Sequence, residues 1–239
     1  IMPRLVGSEM CIRDSISGSA PLLAETHEEF TRRTGHYILE RYGMTETNMI
    51  TSNPYNGERR PGTVGKPLPD VEIQINDTQT GRENADGEIG MIEVRGPNVF
   101  KGYWNMPDKT ALELKENGFF ITGDLGKLSS DGYLSIVGRE KDLIISGGYN
   151  VYPKEIEDVL NELEKIDETA VFGISDNDFG ERVVAALVMA ENESFDKSET
   201  EIFVNDKLAR YKQPKEYFVL KCLPRNSMGK VQKLSLIHI

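Results

Sequence analysis

The chain has 239 residues, 38% hydrophobic and 28% charged, which is long enough to bury a core and ordinary in composition for a globular protein. Its 39 acidic against 28 basic residues give a formal net charge of -11, which argues against a nucleic-acid partner, since that affinity comes mainly from Lys and Arg on phosphates. No apolar run approaches the roughly 20 residues of a membrane-spanning helix, and Cys11 and Cys222 offer neither a disulfide framework nor metal-ligand spacing, so a cytoplasmic location without membrane insertion is expected.

Residues 1–15 show no clean periodicity and no signal-peptide plan, and L-S-L-I-H-I at 234–239 is an apolar tail. Both resemble translated adapter read-through, so 1–15 and 234–239 are expected to be non-native tails on a fragment of a longer protein. Thr26 with Glu29 reads as a capping box opening a short helix that stops near Gly35. Tyr37-Ile38-Leu39 reads as a strand running into Tyr42-Gly43. The prolines and glycines of 53–70 mark a structured loop. Val71, Ile73 and Ile75 alternate with Glu72 and Gln74, as in a half-buried strand. Asp86-Gly87 turns the chain into a strand through Ile89, Ile92 and Val94. A helix is expected from Pro107 to Gly118, then a strand at 119–122 and a hairpin over 125–137 turning at Asp131-Gly132.

Beyond Gly138 strands and helices alternate. Leu143-Ile144-Ile145 reads as a buried strand, and Pro153 opens a helix with Ile156, Val159, Leu160 and Leu163 on one face. Strands are expected at 169–174 and 182–190, a helix from a Ser198/Glu201 capping box to Pro214, and a last strand at Tyr217–Leu220. No repeat and no low-complexity tract interrupts this order.

Several segments carry chemistry. In Y-G-M-T-E at 42–46, a glycine at a strand end lets backbone N–H groups approach a ligand, and a Thr-Glu pair can offer a hydroxyl to phosphate and a carboxylate to Mg²⁺. On its own this string favours the simpler reading, a strand-to-loop turn with a solvated Glu46. It stands, however, between S-G-S-A-P at 17–21 and G-F-F-I-T-G-D-L-G at 118–126. G-R-E-K-D-L-I-I-S-G-G-Y-N-V-Y-P-K-E-I-E at 138–157 and L-P-R-N-S-M-G-K at 223–230 follow. In this order and spacing the five segments resemble the acyl-adenylate-forming superfamily, over essentially all of 16–233. Within it, E-R-Y-G-M-T-E-T-N-M, T-S-N-P-Y-N-G-E-R-R-P-G-T-V-G, G-P-N-V-F-K-G-Y-W and N-V-Y-P-K-E-I-E resemble the malonyl-CoA synthetases.

The resemblance implies a mixed α/β (α+β) architecture. Residues 16–140 would be the C-terminal part of the large AMP-binding domain, strand-rich with a distorted barrel or sheet, and 141–233 a small α/β C-terminal domain. The implied reaction joins malonate or methylmalonate to CoA with ATP and Mg²⁺, through an acyl-adenylate. A ligase for another short-chain, fatty or aromatic acid, or a module loading a carrier protein, is the alternative. Ser19, Ala20 and Pro21 would line the acyl and adenine pocket. Tyr42, Gly43 and Met44 would pack on adenine and the acyl group, with Thr45 on phosphate and Glu46 on Mg²⁺. Asp124 and Arg139 would hold the ribose, Lys141 would be the hinge, and Gly147, Gly148 and Asn150 would line the path of the CoA arm. Lys230 would be the catalytic lysine of adenylation. The Ser/Thr/Gly-rich phosphate loop is absent, as is an upstream arginine for the acid's free carboxylate. Arg59 and Arg60 are the arginines nearby in sequence. The chain alone is therefore expected to be inactive.

Overall fold

The computed structural model describes residues 14–18, 22–227 and 229–237. The chain divides into two compact units: residues up to Thr122 with Gly126–Ile136, and Gly123–Leu125 with the chain from Val137 onward.

In the first unit, β1 (Ser15–Ser17) pairs in parallel with β2 (Ile38–Met44), which pairs in turn with β3 (Asn48–Ser52) and through it β4 (Lys66–Pro67). A second sheet has the order β5 (Glu72–Asn76), β6 (Gly90–Arg95), β7 (Phe120–Leu128), β8 (Leu134–Arg139). Apolar residues from both sheets meet in one cluster of Tyr42, Ile50, Ile75, Ile92, Val94 and Leu134. The 53–70 loop is tied in by reciprocal bonds, Val64 N to Leu134 O and Leu134 N to Gly65 O.

Helix α1 (Ala24–Thr34) ends as the sequence predicts, with Gly35 left-handed at φ 72°. Its start differs. Leu23 is the N-cap with no side-chain bond, and Thr26 lies inside the helix. The Glu29 carboxylate is held by Arg32 and Arg33, three and four residues on, so it does not reach back to a cap. Helix α2 (Pro107–Glu113) stops short of Gly118, because the chain turns at Leu114 into a bridge with Phe120, and Gly118 takes φ 85° in that turn.

The second unit is one sheet in the order β10 (Tyr149–Val151), β9 (Ile144–Ser146), β12 (Gly180–Met189), β11 (Ile166–Asp176), with β13 (Glu216–Leu220) parallel to β12. The run V-V-A-A-L-V in β12 is apolar on both faces because both are covered. Val183, Ala185 and Leu187 pack with Ile156 and Leu160 of α3 (Pro153–Asn161) and Val204 of α4 (Lys197–Lys207). Val184 and Ala186 pack on the other side with Phe172, Leu223 and Leu236. Leu236, set apart above as tail, is therefore 1% exposed within this core.

Helix α4 begins earlier than expected. Asp196, not Ser198, caps it, accepting the Glu199 N–H at 3.1 Å. The helix closes at Lys207, before a short 3₁₀ turn at Arg210–Lys212, so Pro214 does not end it. Strand β10 is not among the elements expected from the sequence: Gly147 and Gly148, at φ 58° and 81°, form the two-residue turn of a β9–β10 hairpin.

Candidate active site

In the first unit, Tyr42 to Glu46 run from β2 into a tight turn, closed by Thr47 N to Met44 O at 3.2 Å. The register of β2 against β3 shifts between Tyr42 and Gly43. Gly43 is needed there for packing: a Cβ would lie 2.1 Å from Asn48 O on the facing strand. That reason for the glycine is intrinsic to the hairpin, whereas the sequence suggested ligand approach. Tyr42 is buried in the core cluster, Met44 is half-buried, and Thr45 is exposed at the tip.

Glu46 is half-buried, and the segment 98–103 holds both it and the turn that follows. Phe100 N donates to Glu46 O at 2.8 Å. Asn98 Nδ2 donates to Thr47 O and Met49 O, at 2.8 and 3.1 Å, fixing the turn on its far side. The Tyr103 hydroxyl reaches Glu46 Oε1 at 3.2 Å and Glu113 Oε2, at the end of α2, at 2.6 Å. Burial, then the carboxylates of Glu113 and Glu46, pushes the Tyr103 phenol well above its ordinary value, so it stays a donor. Asn98 and Tyr103 stand in a string whose residue types announce no chemistry, so sequence reasoning passed over them.

Glu46 offers a single carboxylate here. Among the described residues no three His, Cys, Asp or Glu side chains cluster as a cation cage. A single carboxylate with one oxygen tethered is what Mg²⁺ carried on a nucleotide takes, its other ligands being phosphate oxygens and water.

Arg59 and Arg60, left open by the sequence, are both committed elsewhere. Arg59 pairs with Asp14 at 2.9 Å and donates to Tyr37 O at 2.8 Å. Arg60 pairs with Asp131 at 2.9 Å and lies 4.0 Å over the Tyr133 ring. Arg41 on β2, by contrast, is exposed and lies across Gly18, where a Cβ would come within 2.9 Å of its Cγ. Ser19, Ala20 and Pro21 lie outside the described residues.

In the second unit, Asp124 is buried on β7 and meets Arg139 Nε, at the end of β8, at 3.3 Å. Lys141 is exposed within a 3₁₀ turn at Glu140–Asp142. Gly147 and Gly148 form the β9–β10 turn, with Gly147 N donating to Phe179 O at 2.8 Å, and Asn150 is exposed on β10. Lys230 is exposed on the 225–231 turn, its backbone N–H bonded to Asn226 Oδ1 at 3.0 Å. Arg225 pins this turn, reaching Gly229 O at 2.6 Å and Glu168 on β11 at 2.9 Å. The hairpin and the Lys230 turn occupy opposite ends of the sheet. Ser146 pairs with Gly180 at the start of β12, and Glu168 pairs with Val188 near its end, on the order of 25 Å away along an extended strand.

Comparison with known proteins bears on this arrangement. A profile described as AMP-binding enzyme matches residues 7–104, and one described as AMP-binding enzyme C-terminal domain matches 155–230. A relative named malonate–CoA ligase, from Arabidopsis thaliana, is 42% identical over 94% of this chain and 38% of its own length. A long-chain-fatty-acid–CoA ligase from Bacillus subtilis is 40% identical over 95% of this chain and 40% of its own. A crystal structure of ATP-bound MatB from Rhodopseudomonas palustris superposes with a TM-score of 0.92 at 54% identity, covering 95% of this chain and 45% of that one. The chain thus spans less than half the length of each.

Proposed function

We propose that this chain, which belongs to the AMP-binding enzyme family, is part of an AMP-forming acid–CoA ligase that activates its acid as an acyl-adenylate. One observation carries the reading: an exposed Thr45 hydroxyl and a tethered Glu46 carboxylate stand on one turn held by Asn98, Phe100 and Tyr103. Glu46 would hold Mg²⁺, which would supply positive charge against that building on the adenylyl group and on the departing pyrophosphate. Thr45 would orient a phosphate oxygen, the buried Asp124 with Arg139 would bind the ribose hydroxyls, and Tyr42 and Met44 would flank the bound nucleotide. Lys230 would supply a second positive charge where the acid's carboxylate attacks phosphorus. Gly147, Gly148 and Asn150 would line the path of the CoA thiol arm. In this reading 16–140 completes a large domain and 141–233 is the small domain that turns about Lys141.

For the acid we propose malonate or methylmalonate, in keeping with the malonate–CoA ligase relative. A second carboxylate requires a cation, and Arg41 fits: it is exposed, lies beside Gly18, and leads directly into 42–46, while Arg59 and Arg60 already hold Asp14 and Asp131. The test is kcat/KM of the complete ligase for malonate, methylmalonate, acetate, octanoate and coumarate. Dicarboxylates are expected to lead by about 10²-fold, and Arg41→Leu to erase most of that lead, because a monoacid leaves the charged partner unpaired. Comparable values for octanoate would overturn the choice of acid and favour the fatty-acid reading that the Bacillus subtilis relative suggests.

A further inference from the structure

Tyr103 is fixed more firmly than a surface tyrosine needs to be. Its ring meets the edge of Phe100 at 4.8 Å, and Phe100 in turn meets Phe120 at 5.3 Å. Lys109 Nζ lies 4.0 Å from the ring centroid, and the Tyr103 N–H donates to the Thr110 hydroxyl at 2.9 Å. Thr110 and Glu113 both belong to α2, so that short helix grips the residue at its backbone and at its phenol. With the ring held, what the hydroxyl can still do is rotate its one hydrogen between two carboxylates.

We propose that Tyr103 is the positioning residue for the Glu46 carboxylate, and that Glu113 sets the direction of its hydroxyl so that Glu46 is presented in one orientation to a Mg²⁺–nucleotide. The inference rests on the proposed role of Glu46 and goes beyond it. At 2.6 Å Glu113 is the nearer acceptor and fixes the direction in which the phenol points. At 3.2 Å Glu46 is close enough to be steered in a single orientation, without a bond strong enough to compete with metal. Partners behind a ligating carboxylate commonly govern metal affinity by 10-fold or more. The same segment holds the Glu46 carbonyl through Phe100 N, so backbone and carboxylate of one residue are placed by residues three apart.

The experiment measures binding of Mn²⁺–ATP to the complete ligase by electron paramagnetic resonance, beside steady-state KM for Mg²⁺–ATP, kcat and the melting midpoint. Tyr103→Phe is expected to weaken Mn²⁺–ATP binding about 10-fold and to raise KM for Mg²⁺–ATP alike, with kcat within about 3-fold and an unshifted midpoint. Glu113→Gln is expected to weaken binding about 3-fold alone and to add nothing in the Tyr103→Phe background, since it acts through the phenol. Wild-type Mn²⁺–ATP affinity in Tyr103→Phe, or full additivity in the double variant, overturns the proposal. If Tyr103→Phe does not fold, Glu113→Gln decides alone, and wild-type affinity there is the overturning result. Glu46→Gln separates the two levels: if it binds Mn²⁺–ATP as wild type does, the role of Glu46 itself is wrong. If it loses binding while Tyr103→Phe does not, only the positioning role fails.

Discussion

The two ends of the second unit's sheet present opposite kinds of surface. The 225–231 turn is polar and pinned: Arg225 and Asn226 tie down the backbone so that Lys230 extends a charge into solvent. The β9–β10 hairpin offers almost no side chain at its tip, two glycines with positive φ backed by the ring of Phe179, 3.3 Å from where a Gly147 Cβ would sit. One end presents a charge and the other presents bare backbone. No single pose of the sheet can offer both ends to one reacting centre, since they are separated by most of the length of β12.

The largest test of that contrast is Lys230→Ala in the complete ligase. It is expected to slow adenylation about 10²-fold or more, read by ATP–pyrophosphate exchange, while thioester formation from supplied acyl-adenylate stays within a few-fold. Lys141→Pro, which locks φ at the proposed hinge, is expected to do the reverse. If both substitutions impair the same half-reaction equally, the two ends do not alternate and the contrast has no mechanistic meaning. Residues 1–239 alone are expected to release no pyrophosphate from ATP and malonate above a no-enzyme control.

Smaller effects separate folding from chemistry. Asp196→Ala removes the α4 cap and is expected to cost about 1 kcal/mol in urea unfolding, whereas Ser198→Ala is expected to cost little. Both belong to α4 and neither has a part in the proposed chemistry, so a rate effect from them would blur the assignment of the ends. The smallest expected effect lies in the first unit. Arg60, then Ser129, holds the Asp131 carboxyl down at about 2 against an ordinary 3.8. A lowered acid stabilises the fold above its unfolded value and loses that contribution as pH falls from near 4 toward about 2. Asp131 is largely exposed and the pair is screened, so Asp131→Asn is expected to flatten the acid limb of the stability curve only slightly, and less still in high salt.

Much of the fold was readable because alternation and turn residues agree locally. Val71–Ile75, the Asp131-Gly132 hairpin, the Pro153 helix and the Gly35 stop all came from patterns that tertiary packing had no cause to override. The α4 cap departs from the spacing because several polar residues compete for one helix start, and geometry picks Asp196 over Ser198. The Gly147-Gly148 pair was read for its missing side chains alone, although two glycines between apolar runs are also a hairpin signal. Gly43 shows the converse, a glycine in a functional string whose need for space comes from Asn48 across the hairpin. Tyr103 and Glu113 could not be found from sequence. Their relation to Glu46 exists only once a loop and a seven-residue helix bring three distant positions together.

The double coverage of β12 bears on how the molecule is made. Its helix-side face can be filled by α3 and α4 once the chain has been synthesised through Leu208. The opposite face waits for Leu223 and Leu236. While those residues are still on the ribosome, Val184 and Ala186 stand open to any other apolar segment nearby. The strand at the centre of the unit is therefore complete on one side well before the other. Amide exchange in β12 of nascent chains stalled before Leu223 should be markedly faster than in the released protein.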